Sequence, residues 1–216
     1  DKIEKLDAIN FIWDTLEYEW NNNYEALKKF LDENDGAYPS AGSKNLNELK
    51  LGIWVVRQRM AHKGKKLSKD KIEKLDAIDF IWDPFEYEWN NNYEALIKFS
   101  DENDGAYPSE GSKNLNEKKL GSWAGTQRNT HKGKKLSKDK IEKLDAINFI
   151  WDPFEYEWNN NYEALKKFLD ENDGAYPSDL NEKKLESWVA RQRNTHKRKK
   201  LSKDRIEKLN SIGFRW

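Results

Sequence analysis

Apolar residues recur along this chain at helical spacing, in three segments that repeat with a period of 69 residues. In the first segment Leu16, Trp20, Tyr24, Leu27 and Leu31 fall on one face at ~100° per residue, and Phe85, Trp89, Tyr93 and Leu96 repeat the stripe. A long amphipathic helix is predicted. Asp83 is its N-cap, Pro84 its first residue and Glu86 stands where a capping box closes, as Glu17 does one copy earlier. Asp35, Gly36 and Pro39 end the first copy. A second helix is predicted over LNELKLGIWVVRQRMAH, burying Leu51, Trp54, Val55 and Gln58. Gly64 and Gly133 stand where a helix takes a left-handed terminator, and the third copy has Arg198 there. The third helix starts after Ser68, with Leu67 and Ile72 spaced as a hydrophobic staple that recurs as Leu136/Ile141 and Leu201/Ile206. It ends on Asn10, Asp79, Asn148 or Gly213, residues that share a tolerance of positive φ. No segment reads as a strand.

Ile3, Ile72 and Ile141 open near-identical stretches, and Trp13, Trp82, Trp151 and Trp216 punctuate them. The expected architecture is all-α: a tandem array of three small three-helix units in semi-rigid series, preceded by a partial unit. Residues 1–12 are the third-helix tail of a truncated preceding unit, and the repeats span 13–81, 82–150 and 151–216. Only Phe80, Ile81 and Trp82 join the first unit to the second, with Trp82 placed to staple onto Tyr87, and so short an apolar junction is unlike a flexible tether. The polar loop before the second helix is four residues shorter in the third copy, where Ser178 runs almost directly into Leu180, as expected of an exposed loop. The opening DKIEKLDAINFIW, without Met, is expected of a piece of a longer array or larger protein.

Charged residues make up 36% of the chain, while ten Trp, nine Tyr and nine Phe concentrate apolar surface at few positions, so small aromatic cores under charged shells are expected. There is no Cys and no long apolar run, so disulfides are excluded and a soluble, cytoplasmic protein with no membrane partner is expected. The three histidines, His62, His131 and His196, occupy the same place in each unit and do not readily converge on one centre. His62 lies about 20° from Leu51 on the helical wheel, which suits a residue closing the helix over its core, with ligand contact as the alternative. Asp32, Glu33 and Asp35 read as a solvated helix end, and the GKK of Gly64 to Lys66 lacks the glycine spacing of a phosphate-binding loop. No enzyme, cofactor or metal site is expected.

The net charge of zero conceals a separation. Asp14 to Asp35 holds seven acids and two lysines, whereas Arg57 to Lys66 holds Arg57, Arg59, Lys63, Lys65 and Lys66 with no acid. The later copies supply Arg128, Lys132, Lys134 and Lys135, then Arg191, Arg193, Lys197, Arg198, Lys199 and Lys200. The basic run enters the third helix as Lys69 and Lys71, Lys138 and Lys140, Lys203 and Arg205, where the macrodipole disfavours cations, although Asp70, Asp139 and Asp204 partly compensate. Cations held in a first turn imply an anion nearby, and phosphate is the obvious one. Helix, short turn and helix lined by Arg and Lys is also the outline of a helix-turn-helix-like reader. All these cations are candidate nucleic-acid contacts, with solvated charge or an acidic protein partner as alternatives.

Gln58, Gln127 and Gln192 are placed either to read adenine or to bond backbone at the core edge. Asn21 to Asn23 and their copies are poor mid-helix residues that either cap a local irregularity or meet a partner, with Asn22 facing solvent. Ile53, Val56 and Met60 give the first unit an apolar stripe where the second has Ser122, Gly125 and Asn129 and the third Ser187, Ala190 and Asn194. The stripe is expected to dock on a neighbouring unit, an upstream segment or another chain.

LGIWVVRQR, GKKLSKDKIEKLDAI and FIW, with the paired Tyr-Pro of AYPS, together resemble the helicase-associated domain family over essentially the whole chain. The resemblance implies a small three-helix domain in multiple copies, often attached to helicases and thought to bind nucleic acid. Glu186 replaces the family glycine seen at Gly52 and Gly121, so the third unit is expected to pack its second helix differently. The expected function is a non-enzymatic nucleic-acid-binding array, for DNA before RNA, serving as an accessory region of a helicase or other missing portion of the same polypeptide. A protein interaction scaffold with complementary acidic and basic faces is the alternative.

Overall fold

The computed structural model describes residues 1–9, 11–103, 105–178 and 182–216. Among them are ten α-helices and no strand: α1 Lys2–Asp7, α2 Thr15–Glu33, α3 Leu46–Lys63, α4 Lys69–Asp76, α5 Pro84–Glu102, α6 Leu115–Lys132, α7 Lys138–Ala146, α8 Pro153–Glu171, α9 Lys183–Lys197 and α10 Lys203–Ser211. Two compact units form, Asp1–Glu94 and Ala95–Trp216, the division falling within α5. The expected terminator at Asn10 and the loop end at Leu180 lie outside the described residues.

In the first unit α2, α3 and α4 close around Trp20, Leu27, Leu51, Trp54, Val55, Leu75 and Phe80. The second unit repeats the arrangement in α8, α9 and α10 around Trp158, Leu165, Leu185, Trp188, Val189, Leu209 and Phe214. A core this small depends on large rings, and burying their polar tips requires partners. Trp20 Nε1 donates to Gln58 Oε1 at 2.9 Å, and Gln58 Nε2 donates to the Trp54 carbonyl. Trp158 and Gln192 repeat the pair at 3.0 Å. Gln58, Gln127 and Gln192 are all buried, so the core-edge reading holds and base reading by these side chains does not.

Local signals set the helix starts as the sequence implies. Asp14, Asp83 and Asp152 cap the first helix of each repeat, Asn45 and Asn114 cap α3 and α6, and Ser68, Ser137 and Ser202 cap the third helices. Asp79, Asn148 and Gly213 have positive φ, as expected. The asparagine run acts within the fold: Asn23, Asn92 and Asn161 donate to the carbonyls of Glu19, Glu88 and Glu157, Asn21 and Asn159 accept from Lys74 and Lys208 of the third helix, and Asn22 is exposed.

Four expectations are corrected. Leu16 and Phe85 are 77% and 83% exposed instead of core residues, and the buried stripe of that helix starts one turn later, at Trp20 and Trp89. Gly64 and Gly133 have φ of −81° and −76°; the left-handed residue is the following lysine, Lys65, Lys134 or Lys199, so Arg198 is accommodated without strain. Glu17 and Glu155 do not close capping boxes; they pair with Lys71 and Arg205 of the third helix. Trp82 turns back onto the preceding third helix, donating from Nε1 to Asp76 Oδ1 at 2.7 Å and packing edge-on against Phe80.

Candidate nucleic-acid interface

A tryptophan follows each third helix, and its Nε1 donates to the residue six positions earlier: Trp13 to Asp7, Trp82 to Asp76, Trp151 to Asp145 and Trp216 to Asn210. His62, His131 and His196 lie against Trp82, Trp151 and Trp216 with ring centroids 4.1, 4.1 and 4.0 Å apart. The histidine thus closes the second helix over the end of the repeat, as one of its two sequence readings holds.

The cations predicted to meet phosphate divide into two groups. Arg59 is held inward: its Nε donates to the Ile81 carbonyl at 2.8 Å and its guanidinium lies over Tyr38, whose hydroxyl accepts from Ile81 N at 2.8 Å. Ile81 is gripped on both its backbone groups. Arg128 donates to the Ile150 carbonyl and Arg193 to that of Arg215, with Tyr107 and Tyr176 completing the same grip. Burial pulls the Arg59 and Arg128 guanidinium groups below their ordinary range and pushes the Tyr38 and Tyr107 hydroxyls up. These arginines fasten the segment that follows the third helix of each repeat. Arg59→Ala should cost about 1–2 kcal/mol, and Arg59→Lys should not recover it, because an ammonium cannot supply the same planar donor. Hydrogen exchange at residues 75–82 would measure both.

Lys71 is also committed within its repeat, 2.8 Å from Glu17 and over the Trp20 ring, which Lys74 covers as well. Arg205 and Lys208 treat Trp158 in the same way. The anion implied by a cation in the first turn of the third helix is therefore, for Lys71 and Arg205, a carboxylate of the first helix. Lys140 is half-buried and engaged too.

The second group stands in solvent: Arg57, Lys63, Lys65, Lys66 and Lys69; Lys132, Lys134, Lys135 and Lys138; Arg191, Lys197, Arg198, Lys199, Lys200 and Lys203. Lys69 and Lys138 pair along their own helices with Glu73 and Glu142. Arg57 and Arg191 lie along the second helix and Lys203 opens α10, while the rest cluster at the turn between second and third helix, whose backbone is fixed. Lys65 N donates to the His62 carbonyl and Lys66 N to that of Ala61, a Schellman motif with the left-handed position at Lys65, φ 54°. A lysine there bears a steric cost that glycine would not. Lys65→Gly should therefore stabilise the first repeat by about 0.5–1 kcal/mol, read as added protection of its slowest-exchanging amides.

Sequence reasoning missed the exposed rings at the first turn of the first helix, Phe85 and Phe154, the latter 82% exposed. The readable signal was position: each stands four residues ahead of the first core tryptophan, in the first turn of its helix.

Tandem three-helix repeats, each latched by its own tryptophan and presenting an exposed basic turn, define the class of this protein. The helicase-associated domain family matches residues 17–83, 86–152 and 155–216, and the chain belongs to that family. No curated protein and no solved structure matches it. Among the described residues no cluster of side chains is suited to hold a metal ion, and no helix is long and apolar enough to cross a membrane.

Proposed function

We propose that this chain is a non-enzymatic, cytoplasmic nucleic-acid-binding array, for DNA before RNA, that serves as the accessory region of a helicase. The observation that carries the reading is the turn at Lys65 and Lys66 and its copies. Three times a lysine occupies a left-handed position that favours glycine, beside further cations that the fold leaves in solvent. Stability alone does not account for lysine there, whereas a rigid, charged turn suits phosphate oxygens. Each turn binds weakly alone, and semi-rigid series linkage raises the effective concentration of the next. Membership of a family described as helicase-associated supports the accessory role.

Fluorescence anisotropy of labelled duplex DNA, single-stranded DNA and RNA, from about 50 to 200 mM salt, tests the reading: micromolar or tighter affinity should fall steeply with salt. A chain that binds none of the three at the lowest salt leaves the reading without support. One observation favours a protein scaffold instead. Val56 and Met60 are 42% and 70% exposed and line a groove of about 550 Å³ with Trp82 and Phe85, an apolar surface that phosphate does not need. A partner retained by the chain and released by Met60→Asp would favour that second reading.

A further inference from the structure

The first turn of α8, the outer face of α9 and the loop into α10 enclose an open cleft of about 470 Å³. Phe154 stands at its edge with its ring in water, and belongs to no core cluster. An exposed ring in a first helical turn gains nothing from burial, and phenylalanine is a weak helix former. The indoles of Trp158 and Trp188 reach the cleft but are each 4% exposed, and Arg205 and Lys208 already cover Trp158. Phe154 is thus the ring of the cleft that is free to be covered.

The charges around it are disposed unevenly. Arg191 and Lys200 are exposed on the wall formed by α9 and the turn. Of the acids, Glu155 is paired with Arg205, and Glu157 lines the cleft as an exposed carboxylate on α8. An anion entering the cleft would meet Arg191 and Lys200, and Phe154 lines the same cleft. We infer that this cleft takes single-stranded nucleic acid, a base stacking on Phe154 while Arg191 and Lys200 hold the adjoining phosphates. The inference rests on the nucleic-acid reading above and specifies the form of the ligand. In a duplex the base faces are already stacked on one another, so an exposed ring beside cations favours the strand whose bases are free. The second repeat keeps the ring as Phe85, whereas the first has Leu16, which offers no π-face.

The test uses the full chain with oligo-dT and oligo-U of about 20 nucleotides and a duplex of similar length. Phe154 and Phe85 are exposed, so F85A/F154A should fold as the native chain does. It should bind oligo-dT and oligo-U between about 5- and 100-fold more weakly, with duplex affinity and salt slope unchanged. F85W/F154W should retain single-strand affinity, and Leu16→Ala should have no effect. Comparing oligo-U with oligo-dU, which differ only in the 2′-hydroxyl, then identifies which sugar the strand carries. If F85A/F154A binds single strands as the native chain does, while both bind with a steep salt slope, stacking is overturned and the nucleic-acid reading stands. If the native chain binds no nucleic acid at about 50 mM salt, both fall.

Discussion

Replacing Lys65, Lys66, Lys134, Lys135, Lys199 and Lys200 together by alanine should lower DNA affinity about 10³-fold at about 50 mM salt, and markedly flatten its salt dependence. If these lysines neutralise about six phosphates, log K falls with log salt at a slope near −5, and removing them removes most of that slope. The substitutions are also structurally mild. All six side chains are exposed, none forms an ion pair among the described residues, and alanine at Lys65, Lys134 and Lys199 inherits the same left-handed backbone without new strain. A fall in affinity with unchanged melting would assign the effect to contact and not to unfolding. Changing one turn at a time should show coupling between repeats, because each turn adds to the effective concentration of the others. A six-lysine variant that binds DNA like the native chain would remove the turns from the interface.

Much of this fold is legible in the sequence because its helix starts are marked by side chains that act over three or four residues. Asp83, Ser68 and Asn45 bond backbone amides within the next turn, so neighbouring residues suffice to place them. The same holds for Trp20, Leu27, Trp54 and Val55, whose spacing alone aligns them. What escapes is whatever depends on where one helix ends relative to another. The wheel sets Phe85 only about 40° from Trp89 and so does not reveal that Phe85 stands in water while Trp89 is buried. Charge is equally ambiguous: Arg57 and Arg59 are indistinguishable as cations, and only the path of the chain back past α3 brings the Ile81 carbonyl to Arg59. At Gly64 the glycine is a misleading marker, since the lysine after it takes the left-handed turn. Arg198 in the third copy carries the correct hint, because arginine at that place is compatible with an ordinary φ.

Gly52→Ala should destabilise the first repeat by about 3 kcal/mol or more, the largest single-residue loss expected in this chain. A Cβ at Gly52 would lie 2.5 Å from Ala41 N and from the Ser40 carbonyl carbon, both backbone atoms. The loop has little freedom to withdraw. Glu48 accepts from the Ser40 amide and the Ser43 hydroxyl, the latter at 2.6 Å, and the Asn45 side chain fixes the start of α3. The Ser43 hydroxyl, then the Ser40 amide, hold the Glu48 carboxyl below its ordinary range, a sign that the charged form belongs to this arrangement. Gly121 meets the backbone of Ser109 and Glu110 in the same way. The third repeat explains why Glu186 is acceptable there: its loop lacks four residues, α9 begins only at Lys183, and Glu182 at its N-cap makes no side-chain cap. Beyond that start, Leu185, Trp188, Val189 and Gln192 are buried as their counterparts are in α3, so the altered packing is confined to the entry of the helix. The loop and the glycine therefore form one coupled feature, and removing Ala41 to Lys44 from the Gly52→Ala chain should restore much of the lost stability. Hydrogen exchange within α3, with α9 as internal reference, would measure both steps. If the shortened loop leaves the Gly52→Ala chain as unstable as before, the backbone contact is not what requires glycine.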